Sequence, residues 1–198
     1  MRVRRLRSSA AAILLGLTLT IPAAAHAATA DAALANIRID NFGRVDDHYY
    51  RGGQPEGRDY EDLKALGVKT VIDLTDDDTD PREAGIVRGL NMTFVAIPMS
   101  THETPSPEKI AKFLAVVDDP ASQPVYVHCV GGRHRTGVMT AAYRMTTDGW
   151  TADRAFSEMK QYKFGADFLH SEFKDFVYAF HPAPAAAAAT KAASPSMR

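Results

Sequence analysis

The sequence predicts an α/β fold: one domain with a mostly parallel central sheet flanked by helices. Two observations carry this. Three short apolar runs rich in β-branched residues, VKTVIDL (Val68–Leu74), MTFVAIP (Met92–Pro98) and PVYVHC (Pro124–Cys129), recur through the middle of the chain. Each has the length and character of a buried strand. Segments with helical start and stop signals lie between and after them, and strands alternating with helices favour parallel pairing with both faces covered.

The elements follow in order. HYYRGG (His48–Gly53) supplies a first strand and turn. RDYEDLKALG (Arg58–Gly67) reads as a helix with Gly67 just past its end, where a left-handed residue closes the last turn. In DPREAGIVRGLN (Asp80–Asn91), Asp80 is placed to cap a helix, with Pro81 at its first position. Glu83, three residues after the cap, is read as a capping-box partner. SPEKIAKFLAVVDD (Ser106–Asp119) starts the same way with Ser106 and Pro107, and Ile110, Phe113, Leu114 and Val117 share a face. After the third strand come RTGVMTAAYRMTTDG (Arg135–Gly149), TADRAFSEMKQY (Thr151–Tyr162) and a last helix near Phe168–Phe180.

Both ends fall outside this pattern. Residues 1–27 combine a basic start, MRVRRLRSS, with a short apolar run and small residues at Ala25 and Ala27. Those are the three parts of a secretory signal peptide, so a secreted or periplasmic location is expected. The apolar run is too short for a convincing spanning helix, and no stable membrane association is expected after cleavage. Residues 182–198, PAPAAAAATKAASPSMR, read as an Ala/Pro-rich flexible tail. That leaves a domain over residues 40–181, an ordinary size for one core. The formal net charge of −1 gives no sign of a nucleic-acid surface, so any basic site must be local. A monomer is expected.

The local site is HCVGGRHRT, His128–Thr136, which holds the only cysteine of the chain. It sits between a strand and a helix, where α/β proteins bind ligands. Gly131 and Gly132 let the backbone curl so that successive N–H groups point into one concavity. The helix beyond adds its free N–H groups and the positive end of its dipole. The result is an anion seat sized for phosphate, and the field that attracts phosphate also favours a thiolate at Cys129. Arg135 can close over the anion with two parallel hydrogen bonds. Thr136 brings a hydroxyl near the sulfur, and His128 can brace the loop and add charge. Val130, Gly131, Gly132, Arg133 and His134 supply backbone amides, with the Arg133 and His134 side chains available as rim charges. A disulfide is excluded by the cysteine count, and a zinc site lacks a recognisable ligand set. A cysteine buried merely as a small apolar group would not explain the glycines and the arginine around it.

The stretch H-C-x5-R-[ST] between strand and helix resembles the signature loop of the cysteine-dependent protein tyrosine and dual-specificity phosphatases. HCVGGRHRTG is similar to the loop of the plant and fungal atypical dual-specificity phosphatases and their bacterial relatives. YRGGQP, LKALGVKTVIDL, MTFVAIPM, PSPEKIAKFL, DDPASQPVYVHC and a final GW follow that family's order, from about Tyr49 to Tyr162. The resemblance implies two-step hydrolysis through a cysteinyl-phosphate on phosphorylated proteins, without metal or cofactor. Polyphosphorylated inositols or pyrophosphates are the alternative substrates, and a catalytically weak phosphate-binding module the rival class. The departure concerns the general acid. The loop Met99–Thr104, where the family carries an aspartate, has none; Glu103 is its only carboxylate and is the expected acid, with His102 beside it. Asp76, Asp77 and Asp78, after the first apolar run, are the other candidates.

Overall fold

The computed structural model describes residues 34–77 and 79–182. The expected signal peptide (1–27), the tail beyond Pro182 and Asp78 lie outside the described residues. Five strands form one sheet: β1 (Gly43–Arg44), β2 (Tyr49–Gly52), β3 (Thr70–Thr75), β4 (Thr93–Met99) and β5 (Val125–His128). Their order is β1-β2-β5-β3-β4, and β2, β5, β3 and β4 run parallel. β1 is a two-residue antiparallel edge on β2. The mostly parallel sheet expected from the alternation is therefore present.

Strand alternation distributes the core between two faces. Tyr49, Ile72 and Val127 pack with α3 (Pro107–Val117), α4 (Arg135–Thr147), α5 (Ala152–Gln161) and α6 (Ser171–Ala179). Tyr50, Val71 and Tyr126 pack with α1 (Asp59–Ala65) and α2 (Glu83–Gly89). The loops that leave β3, β4 and β5 all emerge at the carboxyl edge of the sheet, and the site is built from them.

Several local readings hold. Gly67, at φ +94°, follows α1; its N–H bonds the Lys64 carbonyl while Val68 N–H reaches Leu63, the paired closure of a left-handed helix cap. Ser106 caps α3 by accepting from Lys109 N–H at 3.3 Å. Other readings need correction. The Asp80 carboxylate accepts from Arg82 N–H at 2.9 Å and forms a turn, and α2 starts at Glu83. Glu83 does not reach back to a cap; it turns inward and is buried beside His128. The last helix starts at Ser171, and Phe168 and Leu169 stay exposed ahead of it.

Candidate active site

β5 delivers the chain to the loop Cys129–His134, and α4 begins at Arg135. Cys129 lies at the base of a cleft of about 420 Å³ lined by Asp77, Thr101, Val130, Gly131, Arg133, His134 and Arg135. The cysteine is only 3 % exposed, as expected of a floor residue.

The loop keeps its shape because its carbonyls are held from behind. The Val130 carbonyl accepts from Gln54 N–H at 3.0 Å. The Gly132 carbonyl accepts from Arg51 Nη2 at 2.7 Å and from Asn41 Nδ2 at 2.9 Å. A trans peptide is planar and sets each C=O opposite the next N–H. Carbonyls tied to the rear therefore turn the Gly131 and Arg133 amides towards the cleft, which makes the seat a donor surface. Of the two loop glycines, Gly132 is the one the geometry demands. Its φ is +64°, and a Cβ there would lie 2.4 Å from the Gly52 carbonyl and 2.7 Å from Gly53 N. Gly132→Ala should lower stability by about 2–4 kcal/mol, from left-handed strain and backbone overlap together, read as a lower urea midpoint. Gly131→Ala is the control: its Cβ meets only the flexible Arg133 side chain, at 3.4 Å. Equal midpoints for the two variants would refute this account of the loop.

Arg135 is nearly buried and its guanidinium is oriented by one nitrogen. Nη1 donates to the Asp77 carboxylate and, at 3.1 Å, to the Met99 carbonyl. Among the described residues Nε has no partner, and Nη2 makes no hydrogen bond. The Nε–Nη2 edge is the fork that matches two oxygens of a phosphoryl group, and among the described residues it has no hydrogen-bond partner.

His128 is fully buried, its ring stacked on Tyr126 at 5.7 Å between centroids. Nε2 is 3.0 Å from Glu83 Oε1 and Nδ1 is 3.9 Å from Asp73 Oδ1. Neither contact is an aligned hydrogen bond, and together they set the ring between β3 and α2. His128 thus braces the site through its neighbours in the core. Asp73, Glu83 and His128 hold ligand atoms within 4.8 Å of one another. The Thr136 hydroxyl is buried and, among the described residues, makes no hydrogen bond to Cys129 or to any other group.

Two expected roles change. Glu103 is exposed and is not among the residues lining the cleft. The loop after β4 presents Thr101 there instead, while His102 turns towards His170, 6.3 Å between ring centroids. Among the described residues the carboxylate lining the cleft is Asp77, from the loop after β3; Asp76 lines a different cavity. The bond to Arg135 holds the Asp77 pKa below the usual 3.8. The second change is His134, which is not a rim charge. Its ring packs 3.8 Å from that of His170, and Nε2 lies 3.0 Å from the Phe164 carbonyl oxygen. Burial pulls its pKa below 6.5, which favours the neutral ring. Arg133 does stand at the rim, exposed and 3.6 Å from Asp40. His170, which the sequence reading left without a role, also ties its Nδ1 to the Thr101 carbonyl at 3.3 Å and so joins the two loops.

Comparison with known proteins gives a consistent result. Residues 36–175 match the family model described as DSP-PTPase phosphatase fused to NAD+ kinase. A probable tyrosine-protein phosphatase of Dictyostelium discoideum is 30% identical over 126 residues, covering 62% of this chain and 75% of its own length. The dual specificity protein phosphatase TpbA of Pseudomonas aeruginosa is 29% identical over 125 residues, 63% of this chain and 56% of its own. The core catalytic domain of the Saccharomyces cerevisiae PP-IP phosphatase SIW14 superposes with a TM-score of 0.64 at 22% identity, covering 73% of this chain and 88% of that one. The fold, and a family match that runs from before β1 into α6, agree with the cysteine loop: the chain belongs to the DSP-PTPase family of tyrosine and dual-specificity phosphatases.

Proposed function

We propose that this phosphatase cleaves phosphomonoesters of phosphorylated proteins, with Cys129 as nucleophile, Arg135 as phosphoryl clamp and Asp77 as general acid. The observation that carries the reading is the open Nε–Nη2 edge of Arg135 beside the Cys129 floor, with its other nitrogen already anchored. Phosphoryl oxygens take the loop amides and the guanidinium fork. The Cys129 thiolate attacks phosphorus, the P–O bond to the leaving group breaks, and Asp77 gives that oxygen its proton. Asp77, now a carboxylate, accepts a proton from the water that attacks phosphorus and breaks the P–S bond. Phosphate and the thiolate are returned.

In the free protein the Arg135 bond favours the ionised form of Asp77. An arriving phosphoryl dianion supplies the opposite influence, because a nearby like charge favours the protonated carboxyl. Substrate binding thus helps to load the acid.

Two features favour a second reading, an inositol polyphosphate or pyrophosphate as substrate. Among the described residues no phenyl, phenol or indole ring lines the cleft, whereas a phosphotyrosine ring is best held by aromatic walls. Arg133 offers exposed positive charge at the mouth, and the similar fold of SIW14 belongs to a PP-IP phosphatase. Purified protein should hydrolyse an aryl phosphate, with inhibition by vanadate; no turnover would end the phosphatase reading for this chain. Phosphopeptides and inositol pyrophosphates compared at equal concentration then decide the substrate, and a preference of tenfold or more for the inositols would replace the first reading by the second.

We also propose that the chain is exported and works as a monomer. The support for export is the basic start, apolar run and Ala25/Ala27 exit of residues 1–27. A mature protein whose intact mass still includes those residues, or a dimer in sedimentation, would remove the corresponding proposal.

A further inference from the structure

Arg51 has no place in the mechanism above, yet it is fully buried in β2, behind the phosphate loop. Charged side chains are rarely buried without a charged partner. Here no carboxylate pairs with it among the described residues, and Nε and Nη1 have no hydrogen-bond partner. Its guanidinium carbon lies 3.9 Å over the Tyr162 ring, and Nη2 donates to the Gly132 carbonyl at 2.7 Å. Burial pulls its pKa down, and the groups that act against this include Tyr49, Tyr162, Glu158 and Cys129.

Asn41 approaches the same carbonyl from another direction. It holds a left-handed conformation, φ +57°, and its Nδ2 reaches Gly132 O at 2.9 Å and Tyr162 O at 2.8 Å. Tyr162 in turn packs against Gly43; a Cβ at that glycine would lie 2.0 Å from the phenol oxygen. Strand β2 and the segment just before β1, both distant from the loop in sequence, therefore converge on one of its carbonyl oxygens, and Asn41 ties Tyr162 at the end of α5 to the same cluster.

We propose that Arg51 and Asn41 are positioning residues of phosphoryl transfer, a two-donor clamp that holds the Gly132 carbonyl to the rear and so aims the Arg133 amide at the phosphoryl oxygens. The proposal rests on the phosphatase reading for its role in turnover, but the clamp itself is a claim about anion binding. Donors fixed in advance on developing charge act more on the transition state than on bound substrate. Arg51 also places a buried positive charge behind the seat, where low polarity strengthens its effect on an anion.

The test uses the full chain with Arg51→Met, Arg51→Lys and Asn41→Gly. Glycine removes the Asn41 donor and still accepts the left-handed backbone. The readouts are kcat and KM for nitrophenyl phosphate, tungstate Kd by calorimetry, and melting without anion. Arg51→Met should lower kcat about 10²-fold, the scale for losing one preorganised oxyanion donor, with a smaller change in KM. Arg51→Lys should recover part of the loss, since it keeps a charge and one donor. Asn41→Gly should weaken tungstate binding about five- to tenfold, the scale of one hydrogen bond. If Arg51→Met fails to melt cooperatively, Arg51→Lys and Asn41→Gly decide alone. Folded variants with wild-type kcat and tungstate Kd, whatever their melting temperatures, overturn the clamp and leave both residues purely structural. Calorimetry needs no turnover, so a wild type that binds tungstate without hydrolysing substrate refutes the phosphatase reading and leaves the clamp to be judged on Kd. A wild type with no tungstate affinity overturns both.

Discussion

Cys129→Ser should lose turnover by a factor on the order of 10⁴–10⁶, the scale seen when an enzyme loses its nucleophile, while still binding phosphate and tungstate. The serine hydroxyl is far less acidic than a thiol, so the nucleophile disappears; the seat does not, because the loop is held by Gln54, Asn41 and Arg51 from behind. Arg135→Lys should fail in a different way. An ammonium cannot present two parallel donors while a third nitrogen is anchored on Met99 and Asp77, so both tungstate affinity and kcat should fall. The pair of variants separates chemistry from anion recognition. Strong turnover by Cys129→Ser, or tungstate affinity unchanged in Arg135→Lys, would show that the cleft is not the reaction centre.

Asp77→Asn should slow alkyl phosphates by about 10²–10⁴-fold, the usual contribution of general acid assistance, and nitrophenyl phosphate far less. An alkoxide needs a proton as it leaves, and a nitrophenolate hardly does. The pH dependence follows with its sign. An acid works only when protonated, so activity falls as pH rises through its pKa. The Arg135 bond holds that pKa low in the free protein, and a phosphoryl dianion raises it in the complex. The basic limb of kcat should therefore lie at higher pH than the limb that Asp77 contributes to kcat/KM, and Asp77→Asn should flatten it. Glu103→Gln, outside the cleft, should show no such dependence on the leaving group. If the dependence appears in Glu103→Gln and is absent in Asp77→Asn, the acid is Glu103 after all.

The parts of this molecule that were legible in the sequence are those set by local rules. Short β-branched runs became β3, β4 and β5. Gly67 and Ser106 ended and began helices through bonds to residues close by in the chain. The Cys129–Arg135 spacing is a property of one loop, so it too could be read directly. The carboxylate nearest the floor could not, because ranking Glu103 against Asp76, Asp77 and Asp78 requires knowing which of two loops bends over the floor, and Asp78 lies outside the described residues. Glu83 was misread for a related reason: D-P-x-E is a good capping pattern, and only the packing of α2 against β5 reveals the His128 ring waiting for that carboxylate. His134 looked like surface charge until α6 brought His170 against it. Arg51 and Asn41 were missed altogether. A signal existed for Arg51, since YYRG puts a charge inside a strand whose residues are all buried, and a charge in such a place asks for a specific neighbour.

The single cysteine has a further consequence, in redox chemistry. Peroxide converts an accessible thiolate to a sulfenic acid, and many such thiols are rescued by a second cysteine that captures the oxidised sulfur as a disulfide. This chain has no second cysteine, so no internal disulfide can intercept a Cys129 sulfenate before it proceeds to the irreversible sulfinic acid; condensation with a backbone nitrogen is the internal route that remains. Reduction back to the thiol has to come from a small external thiol that can enter the cleft. Occupancy offers protection: Cys129 is nearly buried and lines the cleft, so a phosphate seated on the loop amides stands between an oxidant in the cleft and the sulfur. The anion site that makes the thiol useful is also its shield, and the sulfur is most vulnerable when substrate and product are scarce.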